Sequence, residues 1–329
     1  MSEALARLGW SSFFADQLGP GESGLAPRRV AAVHRSRLTG LAPDGPAAIE
    51  LPAQTRTTDF AVGDWVLVDP QTQVLSRRLG RKTVLERRTA MGMQLAGANI
   101  DTLFIVTSCN ADFNPARLER YLALANEAGT TPVIVLTKSD LVADADAYVQ
   151  QATALQAGVP VVMLNPKEAN APAIVAPWCG VGRTVALIGS SGVGKSTLVN
   201  TLVGATSAPQ QLTGGIRDSD GKGRHTTTSR SLHPIAGGGW VMDTPGMRTL
   251  QVSDAAYGID VLFAEITTLA PNCRFRDCTH AHEPGCAVQA AIAAGTLDPE
   301  RLERWRKLQD ESAGRPPRKA PTGTSRHRH

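Results

Sequence analysis

Residues 184–199, T-V-A-L-I-G-S-S-G-V-G-K-S-T-L-V, decide how the chain is organised. The apolar run 185–188 predicts a short buried β-strand, and a glycine-rich turn at 189–194 follows it. The next three residues, K-S-T, begin an amphipathic helix. This succession of strand, loop and helix is the setting of the phosphate-binding motif G-x-x-x-x-G-K-[ST]. The stretch therefore predicts a nucleoside triphosphate site rather than a plain glycine-rich turn.

The residue types of this motif, called here the phosphate loop (residues 189–197), suit phosphate chemistry. Glycines let the backbone curl so that several N–H groups point at phosphate oxygens, and the helix N-terminus adds a partial positive charge. We expect Lys195 to reach the β- and γ-phosphates and the Ser196 hydroxyl to ligate Mg²⁺. The expected phosphate-binding set is Gly189, Ser190, Ser191, Gly192, Val193, Gly194, Lys195, Ser196 and Thr197.

Length and composition exclude several classes of protein. A chain of 329 residues predicts two or three domains, and no stretch approaches the roughly 20 apolar residues of a membrane span. The N-terminus lacks the basic and apolar regions of a secretion signal. The cysteines are odd in number, and three of the five lie within residues 273–286, which favours a reducing compartment and a metal site. We therefore expect a cytoplasmic protein with no membrane partner.

Residues 1–92 are predicted to form an N-terminal arm followed by a small β-barrel. The arm, residues 1–27, is expected to be a short helix or a packed segment. Short β-type runs then alternate with turn residues, and an OB-type barrel is favoured over an SH3-like one. The predicted strands are 29–34, 47–51, 65–69 and 82–86. Basic residues assigned to the loops predict either nucleic-acid contact or a solvated rim: Arg35, Arg37, Arg77, Arg78, Arg81 and Lys82.

Residues 93–250 alternate between strand-like and helix-like segments, which predicts a parallel sheet covered on both faces. The predicted strands are 101–108, 132–136, 159–164, 185–188 and 240–243, and the predicted helices are 115–128, capped by Gly129, and 144–157. The last strand ends in D-T-P-G. In this D-x-x-G motif, Asp243 is expected to hold Mg²⁺ through a water, and the Gly246 N–H to sense the γ-phosphate.

Between these two motifs lies G-R-H-T-T-T at residues 223–228, where a switch segment is expected. Thr227 is the preferred hydroxyl ligand for Mg²⁺, with Thr226 as the alternative. The residue after D-x-x-G is Met247, which cannot polarise water. We therefore hypothesise that His225 positions the attacking water, against the alternative that it is a surface residue.

The segment T-K-S-D, called here the base loop (residues 137–140), follows the strand predicted at 132–136. A carboxylate at Asp140 can accept hydrogen bonds from guanine N1–H and N2–H₂, a donor pair that adenine lacks. The stem of Lys138 would cover the ring. The base loop, Thr137, Lys138, Ser139 and Asp140, therefore predicts guanine. Thr137 replaces the more usual Asn, which weakens the expected tie to the phosphate loop.

The base loop precedes the phosphate loop, which reverses the usual order and implies that the sheet has been cut and rejoined. With this order the chain resembles the circularly permuted bacterial GTPases called ribosome small-subunit-dependent GTPase A (RsgA, also YjeQ or YloQ). The resemblance covers nearly the whole chain. It rests on T-K-S-D, then G-S-S-G-V-G-K-S-T, then R-H-T-T-T, then D-T-P-G, then C-x₄-C-x-H-x₅-C.

The resemblance implies a multi-domain α/β protein. Its parts would be an N-terminal OB-type β-barrel, a circularly permuted P-loop GTPase domain at 93–250 and a small helical C-terminal zinc domain at 251–310. It implies hydrolysis of GTP to GDP and phosphate, stimulated by the 30S ribosomal subunit, in late maturation of that subunit. The implied partners are the 30S subunit with its 16S rRNA, and GTP or GDP with Mg²⁺. No DNA partner is implied, and a monomer is expected.

The C-terminal region, residues 251–329, is predicted to lack strands. Cys273, Cys278, His280 and Cys286 offer three thiolates and one imidazole, the closed donor set of a structural zinc ion. His282 competes as the nitrogen ligand, and the family pattern favours His280. The predicted helices are 288–294 and 299–309, and the tail 311–329 is expected to be basic and disordered. The remaining cysteines, Cys109 and Cys179, are expected in the core.

One further loop departs from the family pattern. The loop after the strand predicted at 159–164 should supply a backbone N–H to guanine O6, but it contains Pro166, which has no N–H. Either Lys167 donates or the contact is lost. Three other functions remain open: an RNA-binding placement factor that uses GTP as a switch, a small-molecule kinase and a translation factor. The base loop and D-T-P-G disfavour the kinase, and the permuted order disfavours the translation factor.

Overall fold

The computed structural model describes residues 2–89, 92–204, 231–243 and 255–314, with only the backbone described at 87–89 and at 243. The N-terminal arm is packed rather than loose. It contains two short helices, α1 (Glu3–Arg7) and α2 (Ser12–Ala15). Trp10 lies edge-on to Trp65 with ring centroids 4.8 Å apart, and the Phe14 ring lies 5.8 Å from the same indole. These rings bury the arm against the strands that follow.

Five strands follow the arm, and their pairings form a closed circuit. They are β1 (Ala26–Val33), β2 (Leu38–Ala42), β3 (Gly45–Ile49), β4 (Trp65–Val68) and β5 (Leu75–Arg78). Strand β1 pairs antiparallel with β2 and β4, β2 pairs with β3, and β4 pairs with β5. A parallel bridge between Glu50 and Val74 links the end of β3 to the start of β5. A small apolar cluster including Val30, Val66 and Val68 belongs to this circuit.

A two-stranded hairpin, β6 (Val84–Thr89) and β7 (Gly92–Ala98), leads into the central sheet. The strands of that sheet are β8 (Thr102–Ser108), β9 (Thr131–Thr137), β10 (Val161–Met163), β11 (Thr184–Ile188), β12 (Ser231–Pro234) and β13 (Trp240–Asp243). Their order is β10-β9-β8-β11-β13-β12, and every neighbouring pair is parallel except β12 with β13. Strand β12 also pairs with β1, so the N-terminal circuit continues the sheet.

Helices cover the sheet. They are α3 (Pro115–Glu127), α4 (Asp146–Thr153), α5 (Ala171–Val175) and α6 (Lys195–Gly204). Helix α3 begins where its sequence predicts, because the Asn114 side chain accepts from Arg117 N–H at 3.0 Å and Pro115 occupies the first turn. Gly129 follows its last turn with φ +72°, as expected of a C-terminal cap.

Beyond residue 255 the described chain consists of helices joined by turns. Its helices are α7 (Ala256–Leu262), α8 (Ala264–Thr267), α9 (Ala287–Ala293) and α10 (Pro299–Ser312). Every helix among the described residues is too short or too polar to traverse a lipid bilayer.

Two buried arginines join the parts of the chain. Arg29 of β1 is 1% exposed and donates to Leu8 O and to Thr184 Oγ1, both at 2.6 Å. Burial lowers the pKa of Arg29 to about 10, which leaves it charged at neutral pH. Trp240 Nε1 also donates to Arg7 O, at 2.8 Å. The arm, β1 and the central sheet are therefore fixed to one another.

The second arginine, Arg301 of α10, fixes the C-terminal helices to α3. Its guanidinium donates to Glu119 at 2.7 Å and to Glu265 at 2.6 Å, and it lies 4.1 Å from the centre of the Phe263 ring. Burial raises the pKa of Glu119, while Arg304 and Arg301 act in the opposite direction. Because Glu119 is 1% exposed, removal of its partners would leave a buried charge, which typically costs about 3–5 kcal/mol.

The structure corrects several predictions of secondary structure. Helix α4 is shorter than the predicted 144–157. Helix α10 continues to Ser312, and Arg120 pairs with Glu311, so the disorder expected from residue 311 does not begin there. Residues 315–329 lie outside the described residues. Arg77 and Arg78, assigned to loops, lie in β5.

Some strands had no recognisable signal because glycine interrupts them. Gly40 lies in β2, where a Cβ would meet the Ile49 side chain at 2.9 Å. Gly97 lies in β7, where a Cβ would meet Met242 Sδ at 2.4 Å. Glycine at these two positions therefore serves close packing between neighbouring elements rather than a turn.

Candidate functional site

The carboxyl ends of five parallel strands lie at one edge of the central sheet. From β8, the chain builds outward through β9 to β10, and then returns to the other side of β8 with β11 and β13. The direction of winding therefore changes between β8 and β11, where parallel sheets commonly bind ligands beyond the strand ends. The phosphate loop follows β11, and the base loop follows β9. Both motifs predicted from the sequence therefore lie at this edge.

Close packing shapes the phosphate loop. Gly189 has φ +149°, and a Cβ there would lie 2.0 Å from Val106 O, so no side chain fits. Gly192 and Gly194 also have positive φ, at +80° and +99°. Val193 is fully buried in the apolar cluster under the loop. Packing at Gly189 and Val193 thus fixes the loop against the sheet. Its backbone conformation is of the kind that presents N–H groups to an anion.

The lysine of the motif folds back over its own loop. Lys195 begins α6, and its Nζ donates to Ser190 O. Gly194 O accepts from Leu198 N–H at 2.9 Å, which starts the helix. Ser196 is exposed and lies in the first turn of α6, beside the N-terminal N–H groups. This arrangement places an ammonium group, a hydroxyl and a helix N-terminus together.

A single hydroxyl joins the base loop to the phosphate loop. Thr137 is fully buried, and its Oγ1 lies 2.7 Å from Val193 O and 3.1 Å from Thr107 O. The sequence analysis expected threonine at this position to weaken the connection between the two loops. The connection is nevertheless present as this hydrogen bond. Cys109 N–H donates to Thr137 O at 2.9 Å and holds the same residue from the β8 side.

The base loop itself makes a sharp turn. Lys138 has φ +58°, a left-handed conformation that a residue with a Cβ seldom adopts without constraint from its surroundings. A 3₁₀ turn, Ser139–Leu141, follows. Asp140 is exposed, and its carboxylate has no hydrogen-bond partner among the described residues. Its oxygens are therefore available to a ligand.

A third loop, the 165–168 turn, adjoins the other two. It follows β10, which pairs with β9, and Glu168 N–H donates to Asn165 O at 3.0 Å. A Cβ on Gly194 would lie 3.1 Å from Pro166 Cγ and 3.8 Å from Thr137 Cγ2, so the three loops meet at Gly194. Thr201 of α6 donates to Pro166 O at 2.7 Å. Neither Asn165 nor Thr201 was among the predicted site residues.

Several predicted site residues cannot be placed. Asp243 is the last residue of β13, so its backbone lies at the same edge, but its side chain lies outside the described residues. The residues of the switch segment and the end of D-x-x-G also lie outside them: His225, Thr226, Thr227, Gly246 and Met247.

The four predicted metal ligands lie together. Cys273, Cys278, His280 and Cys286 each offer one ligand atom, and these atoms lie within 4.8 Å of one another. His280 Nδ1 lies 3.5 Å from Cys273 Sγ and 3.4 Å from Cys286 Sγ, and the two sulfurs lie 3.9 Å apart. A tetrahedral zinc ion with ordinary bond lengths requires sulfur–sulfur and sulfur–nitrogen distances of about 3.8 and 3.6 Å. The donor set therefore fits such an ion, and the competing His282 is exposed outside it.

Neighbouring groups fix the imidazole of this cluster. His280 has φ +57°, and its carbonyl accepts from Gln289 Nε2 and from Arg306 Nη2. Burial lowers the pKa of His280, and the charge of Arg306 acts in the same direction. Both favour the neutral imidazole that ligates metals. The other two cysteines are buried as expected, and burial raises the pKa of Cys179 to about 12.

The six basic residues predicted to contact nucleic acid divide into two groups. Arg77 pairs with Glu22 at 2.6 Å, and Arg81 pairs with Asp64 at 2.7 Å. Lys82 lies 4.0 Å from Asp101. The other three basic residues have no acidic partner among the described residues: Arg35, Arg37 and Arg78. The second group is therefore the more available for a polyanion.

Comparisons with known proteins agree with this geometry. Residues 78–253 match the model of a family described as RsgA GTPase. A protein of Mesorhizobium japonicum named small ribosomal subunit biogenesis GTPase RsgA is 65% identical, with 99% of this chain and 97% of that protein covered. A Vibrio vulnificus protein named small ribosomal subunit biogenesis GTPase RsgA 2 is 48% identical over 94% of this chain and 88% of its own length.

Two solved structures share the fold. The structure of YjeQ from Thermotoga maritima superposes with a TM-score of 0.65, at 24% identity over 89% of this chain and 100% of that one. A structure described as YloQ, a circularly permuted GTPase, gives a TM-score of 0.62, at 22% identity over 92% of this chain and 100% of its own. The likeness shows that the fold is that of circularly permuted GTPases.

The Thr137–Val193 hydrogen bond predicts an effect on nucleotide affinity. Thr137→Val keeps the shape of the side chain but leaves Val193 O without its donor, so GDP should bind about tenfold more weakly by titration calorimetry. Thr130→Val is the matched control. The Thr130 hydroxyl donates to Ala125 O at 3.0 Å, and Thr130 immediately precedes the first residue of β9, at the end away from the base loop. That variant should keep the affinity of the unmodified protein. Equal affinity of both variants for GDP would contradict a role for the bond.

Proposed function

The chain belongs to the RsgA GTPase family, and we propose that its GTP hydrolysis serves the biogenesis of the small ribosomal subunit. The protein is a GTPase, as are the relatives that cover nearly its whole length. Their printed name, small ribosomal subunit biogenesis GTPase, supports the subunit as the partner. The meeting of the base loop and phosphate loop at Gly194 is the observation that carries the proposal, because the two motifs, in permuted order, would there form one nucleotide site.

The phosphate loop would hold the triphosphate. Its backbone N–H groups would face the phosphate oxygens, and Lys195 would exchange Ser190 O for the β- and γ-phosphates. Mg²⁺, when bound, would neutralise the charge that develops on the transferred phosphoryl group. Ser196 and Thr227 would ligate the ion directly, and Asp243 would hold it through a water. Gly246 would sense the γ-phosphate, and His225 would position the attacking water.

The base loop would select guanine. Asp140 is exposed with no partner among the described residues, which supports its role as acceptor for N1–H and N2–H₂. Lys138 would cover one face of the ring with its stem, and Ser139 would complete the turn. Thr137 would keep this loop at a constant distance from the phosphate loop. A guanine nucleotide would then touch both loops at once.

The N-terminal strands would bind RNA. Their closed circuit of pairings, with a parallel link between β3 and β5, supports an OB-type barrel, a fold that often binds oligonucleotides. Arg35, Arg37 and Arg78 would contact 16S rRNA through its phosphates. We propose the boundaries 1–92 for the arm and barrel and 93–250 for the GTPase domain, followed by a zinc domain that extends through the end of α10 at Ser312. The protein would act as a cytoplasmic monomer, without DNA.

The Cys3His cluster would hold a structural zinc ion. The distances among Cys273, His280 and Cys286 support a tetrahedral site, and Cys278 would complete it. With four protein ligands, the site would have no open position for catalysis. Zinc would cross-link the segment between α8 and α9, which is otherwise mainly turns.

The partner is tested by hydrolysis assays with purified ribosomal subunits. Addition of 30S subunits should raise the rate of GTP hydrolysis by at least about tenfold, because a partner can position or supply the groups that stabilise the transferred phosphoryl group. ATP as substrate and 50S subunits as additive are the controls, and neither should give stimulation. Hydrolysis that does not respond to 30S subunits would contradict the proposed role.

The metal proposal is tested with paired cysteine variants. Cys278→Ala should reduce bound zinc, measured by mass spectrometry of metals, from about one ion per chain to almost none. Cys109→Ala, which removes a buried thiol elsewhere, should retain the ion. Protease sensitivity should rise between residues 273 and 293, while GDP affinity stays within about twofold, since losing a structural ion affects chiefly its own segment. Zinc content that is the same in both variants would overturn the assignment.

A further inference from the structure

The 165–168 turn offers guanine a donor of an unusual kind. Guanine presents O6, a hydrogen-bond acceptor, beside the N1–H that Asp140 would bind. An acceptor removed from water without a donor weakens binding. Pro166 has no N–H to give. We propose that the side-chain amide of Asn165 donates to guanine O6, an inference that rests on the guanine site proposed above.

The backbone N–H groups that follow Pro166 in this turn are already engaged. Lys167 N–H donates to Asn165 Oδ1 at 3.1 Å, and Glu168 N–H donates to Asn165 O at 3.0 Å. Use of Lys167 N–H for O6 would break the first of these bonds. The N–H groups of Lys167 and Glu168 are therefore occupied in closing the turn itself.

The same hydrogen bond determines which way the Asn165 amide faces. Lys167 N–H is a donor, so the atom it meets must be the amide oxygen. The amide nitrogen, Nδ2, then faces away from Lys167. It has no hydrogen-bond partner among the described residues, and Asn165 is half-buried. Two N–H donors are thus fixed in direction and available.

Contacts with α6 and with β9 hold the turn against the base loop and the phosphate loop. Thr201 donates to Pro166 O at 2.7 Å, and Pro166 is buried beside Gly194. Leu164 N–H donates to Leu136 O at 3.0 Å, which sets the turn level with the start of the base loop. Asn165 therefore lies next to the loop that carries Asp140, on a rigid support.

An amide donor at this position would add to selectivity. Guanine has an acceptor at C6, whereas adenine has an amino group there, which would face Nδ2 donor to donor. Asp140 and Asn165 would then recognise adjacent atoms of the same edge, one as acceptor and one as donor. Adenine would mismatch both.

The test is a thermodynamic cycle that changes one hydrogen-bonding group on the nucleotide and one on the protein. In 6-thio-GDP a weakly accepting sulfur replaces O6, while N1–H and the 2-amino group remain. Asn165→Asp keeps an oxygen for Lys167 N–H but removes the donor. The unmodified protein should prefer GDP over 6-thio-GDP by about tenfold, the worth of one good hydrogen bond, and Asn165→Asp should reduce that ratio to about one.

Two controls separate this inference from the guanine site itself. Asn170→Asp makes the same change at an exposed residue of the same segment and should keep the tenfold preference. IDP lacks only the 2-amino group, so the ratio of GDP to IDP affinity reports on Asp140. Asp140→Ala should reduce the ratio of GDP to IDP affinity to about one, and Asn165→Asp should leave that ratio unchanged.

The outcomes are distinct. If Asn165→Asp weakens GDP and 6-thio-GDP equally, O6 is not bound by the Asn165 amide, and the inference is wrong while the guanine site stands. If Asp140→Ala leaves the GDP to IDP ratio unchanged, the proposed guanine site itself fails.

Discussion

The nucleotide site depends on the hydrogen bond between the Thr137 hydroxyl and the Val193 carbonyl. It joins the loop that would bind the base to the loop that would bind the phosphates, at a point where a Cβ on Gly194 would lie within 4 Å of both neighbouring loops. Each loop is set by the end of its own strand, and those strands pair in parallel through β8. A sheet requires correct pairing of strands but no particular order along the chain. The permuted connectivity can therefore produce the same site.

Permutation also decides what the site is connected to. Strand β13, which ends at Asp243, pairs with β11 beneath the phosphate loop and with β12 on its other side. Strand β12 pairs in turn with β1 of the N-terminal circuit through Ala32 and Ser231. In the C-terminal part, Arg301 anchors α10 to α3, and Arg306 of the same helix donates to His280 O of the Cys3His cluster. Through β12 and β1, the nucleotide site thus has a direct structural link to the N-terminal strands proposed to bind rRNA.

The sequence predicted the elements whose local pattern agrees with their environment. Strands β8, β9 and β11 are continuous apolar runs buried on both faces, so pattern and burial coincide. Strands β2 and β7 could not be predicted, since Gly40 and Gly97 look like turn residues and are explained only by Ile49 and Met242 packed against them. In the site, motifs located the phosphate and base loops. The contact of Thr201 with Pro166 joins distant segments, and the orientation of the Asn165 amide depends on the conformation of its turn, so both became visible only in the structure.

The central claim is that one guanine nucleotide spans the base loop and the phosphate loop, and a crystal structure with GDP and Mg²⁺ tests it most directly. The account predicts the diphosphate inside residues 189–194, with Lys195 Nζ moved from Ser190 O to a phosphate oxygen. It predicts the base between Lys138 and the 165–168 turn, with Asp140 at N1–H and N2–H₂. A diphosphate held in the phosphate loop with its base turned away from Asp140 would contradict the account.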